Sequence, residues 1–391
     1  MITSFQFGRI PKIIFGAGRL KDLPGVIRQY DKNIILVTGK TSFLASSFGS
    51  SFLTRLASEG INYRTVSISG EPSPAMIDKA VADLSDYKAG VVVSIGGGSV
   101  LDAGKAISAM LYMKEGITDF LEDVGTREHP GSKIPFIAVP TTSGTGSEAT
   151  KNSVISQTGI NGFKKSLRHD NFVPEVALVD PELTLNCPTS ITAASGMDCF
   201  TQLTEAYLST KATPFTDALT YEGLKAVRQS LLKCVVDGSD IEARTGMSFA
   251  ALTSGIGLAN AGLGTVHGIA GSIGGIYQIP HGLLCGTLMG ACNTITVRKL
   301  RKTGKNNAAL KKYASLGRLF LDRENKSDDY LIDWFIEYLN YLTVEMKLPG
   351  LKTAGIEEAS FNNIIASSSS KNNPLSLEAE ELAEVLSIRF I

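Results

Sequence analysis

Two of the four histidines in the chain, His267 and His281, lie in one glycine-rich stretch, GTVHGIAGSIGGIYQIPHG. Small apolar neighbours give a charged imidazole no compensation, and glycine lets backbone or ligand approach closely. Upstream, SGMDCFTQLTEAY sets Asp198 and Gln202 four residues apart, on one face of a helix. One carboxylate and two imidazoles can hold a divalent ion with positions left open, as in His₂-carboxylate zinc sites and the facial triad of ferrous iron. Gln202 would add a neutral oxygen. A plainer reading stands beside this one: His267 as a core histidine bonded to backbone, Asp198 as a helix cap. His129, next to Pro130, and His169, between Arg168 and Asp170, read as solvated loop residues.

A second constellation suggests a nucleotide. Gly96-Gly97-Gly98-Ser99 lies between an apolar strand and a helix expected to begin near Val100. Glycine lets backbone N–H groups face an anion, and the positive end of the helix dipole adds to them. Gly97, Gly98 and Ser99 are therefore candidate pyrophosphate contacts, and Asp102 caps the helix or approaches the ligand. GGGS alone is equally a tight strand-to-helix turn, and it is neither a GxGxxG fingerprint nor a P-loop. The loop from Thr141 to Glu148 adds five hydroxyls and two glycines directly after another strand. Thr141, Thr142 and Ser147 become candidates for ribose or phosphate. A metal beside a dinucleotide is the equipment of hydride transfer.

The elements that must position these residues divide the chain in two. Up to about residue 183, strand and helix signals alternate, with strands at 32–39, 61–68, 89–96 and 134–140 and helices at 73–84 and 101–113. Apolar character that is continuous along a strand points to a parallel strand covered on both faces. The expected fold is an α/β doubly wound nucleotide-binding domain over residues 1–183, with ligands at the carboxyl ends of its strands. From 184 to 391 helical periodicity dominates, with helix starts at Thr189 and Thr213-Pro214, so an all-α metal-binding and substrate domain is expected. Phe5-Gln6-Phe7 and Ile13-Ile14-Phe15 alternate as a strand pair would, either as an internal hairpin or across a dimer.

Bulk composition narrows the function classes. At 391 residues the chain exceeds the ~250–300 that one core serves. Lys+Arg and Asp+Glu both number 38, so there is no basic surplus for a nucleic-acid backbone. The five cysteines form no CxxC pair, and their odd number suits reduced thiols in a cytoplasmic protein rather than a disulfide framework. The N-terminus lacks the pattern of a signal peptide, and no apolar run is long enough to span a membrane.

The motifs coincide in a family. GGGSVLDAGKA, PTTSGTGSE, ALVDPELT, SGMDCFTQLTEAY and the HG…IPHG pair together resemble the iron-containing (group III) alcohol dehydrogenases, over nearly the whole chain. The resemblance implies a dehydroquinate synthase-like fold and hydride transfer between a metal-bound alcohol or carbonyl and NAD or NADP, the metal being iron or zinc. It also implies a homodimer acting on small-molecule alcohols and aldehydes. Asp198, His267 and His281 match three of the four usual metal ligands. Asp102, Thr141, Thr142 and Leu183 would lie along the ribose and nicotinamide. Lys164 matches a cofactor-contacting lysine, with Lys165 as the neighbouring register.

Two positions depart from the family pattern. Gln202 stands where the fourth ligand is normally histidine, and Gly271 where another histidine often lies near the nicotinamide. The first should alter metal binding; the second removes a proton relay and enlarges the pocket. A bulkier polar substrate, such as a sugar, polyol or hydroxy acid, is therefore expected. At the end of the 34–38 strand, Gly39 and Lys40 offer no carboxylate to repel a 2′-phosphate, so NADP remains open beside NAD. Two rivals remain: a nucleotide-binding paralogue that has lost metal competence, and a lyase of the dehydroquinate synthase type.

Overall fold

The computed structural model describes residues 4–159, 162–321 and 325–391. Its strands are β1 (Lys12–Phe15), β2 (Asn33–Gly39), β3 (Asn62–Ile68), β4 (Val91–Gly96), β5 (Phe136–Pro140), β6 (Asn152–Gln157), β7 (Phe163–Arg168) and β8 (Val176–Val179). Six of them form one parallel sheet in the order β1-β8-β5-β4-β2-β3, while β6 and β7 pair as an antiparallel hairpin. The chain runs outward from β2 to β3, then crosses back to β4 on the other side of β2. The carboxyl ends of β2 and β4 thus flank the point where strand order reverses, the usual ligand crevice of such sheets.

Alternate residues of the inner strands feed two apolar layers. Ile35, Val37, Val92 and Phe136 pack under α3 (Pro74–Asp83) and α4 (Gly98–Met110). Ile34, Leu36, Val93 and Ile137 pack under α1 (Leu23–Ile27) and α2 (Ser47–Ser58). Hence β2, β4 and β5 read as unbroken apolar runs, as expected of strands covered on both faces. Strand β3 is one edge, and most of its residues are exposed.

Past β8 the described residues are helical: α5 (Thr189–Leu208), α6 (Pro214–Val236), α7 (Ile241–Ala261), α8 (Thr265–Ile276), α9 (His281–Thr303), α10 (Asn307–Leu321), α11 (Asp328–Glu345), α12 (Phe361–Ser367) and α13 (Ala379–Arg389). Phe200 and Leu203 of α5 enter one core with Met247, Phe320 and Phe335. Val266, Ile269, Leu284 and Leu288 build a second core between α8 and α9. No single described helix is long and apolar enough to cross a membrane.

Four local expectations are revised. Helix α4 begins at Gly98, two residues before Val100, because Gly97 already takes the cap position. Segment 5–7 forms no strand: Phe5 and Phe7 pack on Phe215, with ring centroids 5.8 and 5.6 Å away, and β1 pairs in parallel with β8 rather than in a hairpin. His129 is buried, not solvated. Its ring lies 5.2 Å from Phe120 and 4.8 Å from Phe172, and its Nδ1 accepts from Gly131 N. His169 is half-buried and caps a short turn by accepting from Asn171 N.

Candidate active site and metal centre

The two nucleotide loops converge at the strand-order reversal. Thr141 N donates to Gly96 O at 2.9 Å, which sets the second loop beside the first. A Cβ on Gly98 would lie 2.7 Å from both Cγ2 and Oγ1 of Thr145, so glycine is what lets the loops touch. Gly39 is part of the same crevice, since its Cβ position lies 4.0 Å from Val100. Ser99, Thr141 and Thr142 are partly exposed, and among the described residues their hydroxyls have no partner. They are free to meet a ligand.

Other expected contacts turn inward. Ser147 is buried; its hydroxyl donates to Asp102 Oδ1 at 2.5 Å and accepts from Lys105 Nζ at 3.2 Å. Asp102 also accepts from Val154 N at 3.1 Å. Neither residue caps α4 or offers free polar atoms; instead they lock the second loop and β6 onto α4. Lys105, missed in the sequence, completes the lock. Its buried ammonium donates to Ser147 O, Thr150 Oγ1 and Asn152 O at 2.8–2.9 Å. Burial brings its pKa to about 8 against the opposing pull of Asp102 and Glu148, and burial lifts Glu148 to about 7. Leu183, buried, belongs to the apolar layer beneath the sheet.

Register on β7 resolves the two lysines. Lys165 points outward to Asp123 at 2.8 Å. Lys164 is nearly buried, pairs with Glu71, and runs along α8, where its Cδ lies 3.0 Å from the Cβ position of Gly274. Its charge reaches His281.

The second loop is keyed to the helical half. Gly146, at φ +62°, lies with its Cβ position 2.4 Å from Gly255 N of α7, which no other residue could tolerate. Ser143 and Ser248 hydroxyls meet at 3.2 Å. These contacts set the crevice against α5, α8 and α9, which carry the metal candidates. Asp198 lies mid-α5, His267 in the first turn of α8 and His281 at the first position of α9. Gly282 admits α5, its Cβ position lying 2.5 Å from Ala194 O.

One ligand atom from each of Asp198, His267, His281 and Cys285 lies within 4.8 Å of every other. His267 Nε2 is 3.2 Å from Asp198 Oδ1, and its Nδ1 is 2.6 Å from Glu205 Oε2. Glu205 Oε1 accepts from Val266 N at 2.7 Å, so this carboxylate fixes both the ring and its turn. Such a carboxylate–histidine pair orients metal-ligating imidazoles. Sequence reading passed over Glu205, although positions 198, 202 and 205 share a helix face. Among the described residues, His281 Nδ1 is buried without a partner. Gln202 is buried, and its Oε1 accepts from Ser254 Oγ at 3.2 Å.

Electrostatics fit a cation. Burial opposes the charge of Asp198, yet His267, His281 and Cys285 hold its carboxyl below the usual range. Burial likewise opposes charge on His267, but Cys285, Asp198 and Glu205 raise its pKa well above that of a free imidazole. Burial, with Lys164 nearby, pulls His281 to about 3, leaving the neutral imidazole a metal needs. A buried, two-carboxylate pocket with an unpartnered imidazole nitrogen suits a divalent ion.

A parallel sheet with hydroxyl-lined loops at its switch point, facing a carboxylate–imidazole cluster, defines a metal- and dinucleotide-dependent oxidoreductase. Residues 11–181 match the model of the iron-containing alcohol dehydrogenases, and residues 192–390 that of the Fe-containing alcohol dehydrogenase family C-terminal region. The chain belongs to this family and is an NAD(P)-dependent oxidoreductase acting on CH–OH groups. It is 30% identical over 383 residues to the NADPH-dependent butanol dehydrogenase of Clostridium saccharobutylicum, covering 95% of each chain. It is 30% identical over 364 residues to alcohol dehydrogenase 4 of Saccharomyces cerevisiae (strain YJM789), covering 92% of this chain and 90% of that one. Among solved structures, a 1,3-propanediol oxidoreductase superposes with TM-score 0.89 at 25% identity, covering 99% of this chain and 100% of that one. None of these matches favours the lyase or the impaired paralogue.

Proposed function

We propose that the chain interconverts a polar, multiply hydroxylated or carboxylated alcohol and its carbonyl form at this crevice. The observation that carries the reading is Gly271, one helical turn beyond His267, where a Cβ would meet nothing within 4 Å. Space for a larger substrate therefore opens on the helix face that holds His267. Lys164, paired with Glu71 and lying along the same helix at Gly274, is the cofactor-contacting lysine of this reading.

The residues divide the work as follows. Gly97, Gly98 and Ser99 hold the pyrophosphate at the start of α4, and Thr141 and Thr142 meet the ribose side. Asp102, Ser147 and Lys105 keep those loops in register from beneath, and Leu183 supports them from the apolar layer. Asp198, His267 and His281 would hold the metal, with Gln202 beside them and Glu205 fixing the His267 tautomer. When bound, a divalent ion supplies Lewis acidity toward the substrate oxygen and the nicotinamide takes the hydride. Gly39 and the exposed Lys40 leave room for a 2′-phosphate, so comparing kcat/KM for NAD and NADP belongs to the same assay.

We further propose a cytoplasmic homodimer whose two domains divide between residues 183 and 184. Five unpaired cysteines suit a reducing compartment, and sedimentation velocity measures the mass. The decisive assay compares kcat/KM for ethanol and propanol with that for polyols and 2-hydroxy acids. Preference for the polar set by about tenfold or more supports the reading; equal or better turnover of the simple alcohols overturns it. Gly271→His should narrow the preference by filling the space.

A further inference from the structure

We propose that Cys285 is a protein ligand of the metal in this chain, taking the place that Gln202 would otherwise fill, and that the site selects zinc over ferrous iron. The inference rests on the metal-dependent reading above.

Position and chemistry argue together. Cys285 stands four residues after His281 on α9, so both side chains project from one face of the same helix. Its Sγ lies 3.5 Å from His281 Nε2 and within 4.8 Å of the ligand atoms of Asp198 and His267. Cys285 is otherwise packed in the apolar layer of α8 and α9, and that layer also holds Cys292 two turns further along α9. Cys292 is buried within electrostatic range of Glu205 and Cys285 but lies outside the cluster, whereas Cys285 Sγ sits among a carboxylate and two imidazoles. Gln202 has its amide engaged by Ser254, and a carboxamide oxygen is a weak ligand beside a thiolate. On binding, the Cys285 S–H bond breaks, its proton leaves to solvent, and the sulfur pair forms the bond to the ion. A coordinating thiol is deprotonated by the ion itself. The set would then be one carboxylate oxygen, two imidazole nitrogens and one thiolate sulfur, and soft sulfur favours zinc over iron.

The test loads metal-stripped full-length protein with cobalt(II) and separately with zinc. Wild-type protein should show a sulfur-to-cobalt charge-transfer band in the near ultraviolet. X-ray absorption of the zinc form should show one sulfur at about 2.3 Å beside lighter scatterers at about 2.0–2.1 Å. Cys285→Ser should abolish the band and weaken zinc by at least about tenfold, while Gln202→Ala should keep the band and change affinity far less. His281→Ala should release the metal. Stoichiometric cobalt that is lost in His281→Ala but shows no sulfur signature in the wild type would overturn the Cys285 assignment and leave the metal-dependent reading standing. No binding by the wild type would overturn both. The absorption measurement needs no variant, so a poorly folding Cys285→Ser does not blunt the test.

Discussion

At the scale of single residues, the centre is organised by a carboxylate that lies outside the ligand cluster. Glu205 reaches both His267 Nδ1 and the Val266 amide, so it sets which imidazole nitrogen faces Asp198. Glu205→Gln should weaken divalent-metal affinity by roughly 10–100-fold and lower kcat with it. Isothermal titration of stripped protein measures the first, and an unchanged affinity would remove Glu205 from the site. His281→Ala should lose the metal altogether, checked by metal content per chain. The residues that escaped sequence reading share a cause. Glu205 lies inside SGMDCFTQLTEAY and Cys285 four residues past His281, yet each becomes meaningful only when two helices cross. His129 looked solvated because proline and glycine surround it, yet Phe120 and Phe172 cover its ring.

At the scale of elements, the nucleotide crevice depends on two loops meeting. Gly98→Ala would drive a methyl into Thr145, where only 2.7 Å is available. The loops must part, so NAD(P) affinity should fall by about tenfold, with about 1–3 kcal/mol of stability lost. Cofactor fluorescence titration and thermal unfolding measure these separately; unaltered binding would place the cofactor elsewhere. The parallel strands were legible in the sequence because β2, β4 and β5 are covered on both faces and carry unbroken apolar runs. The β6–β7 hairpin was not. Most of its residues are polar or lysine; Ile155 and Leu167 enter the core, while Lys105, Asp102 and cross-strand pairing hold the rest. The fifth and seventh residues read as a strand by alternation, but aromatic packing on Phe215 gives them a better partner than a second strand.

At the scale of the whole molecule, the loop that keys the two halves together rests on buried charge. Lys105 and Glu148 lie together beneath the loop that touches α7. Lys105→Met removes the cation from four oxygen contacts and from Asp102, and should cost about 3–5 kcal/mol. Chemical denaturation monitored in both halves measures it. Glu148 gives a pH signature. Its folded pKa, about 7, exceeds the ordinary 4.5, so between those values the folded chain holds a proton that the unfolded chain has released. Its contribution to stability is present below about 4.5 and is lost as pH rises through about 7. The melting temperature of Glu148→Gln minus that of the wild type should therefore climb between those pH values and level off above. A flat difference would mean that Glu148 is ionised throughout.

The division of labour between sequence and tertiary structure follows from range. Glycine loops after apolar strands, a carboxylate and a glutamine one turn apart, and two histidines among glycines are local patterns. Their chemistry is written in neighbouring residues, and with it the family, the two-part fold and the cofactor class. Which groups converge is a matter of long-range packing. Asp198 meets His281 because Gly282 lets α9 press on α5. Ser147 and Asp102 spend their polar atoms on Lys105 and β6 only because α4 lies across the hairpin. Cys285 faces ligands while Cys292 does not, because the phase of α9 against α5 and α8 decides what each buried thiol meets. No spacing rule along the chain contains that phase; the crossing of three helices sets it.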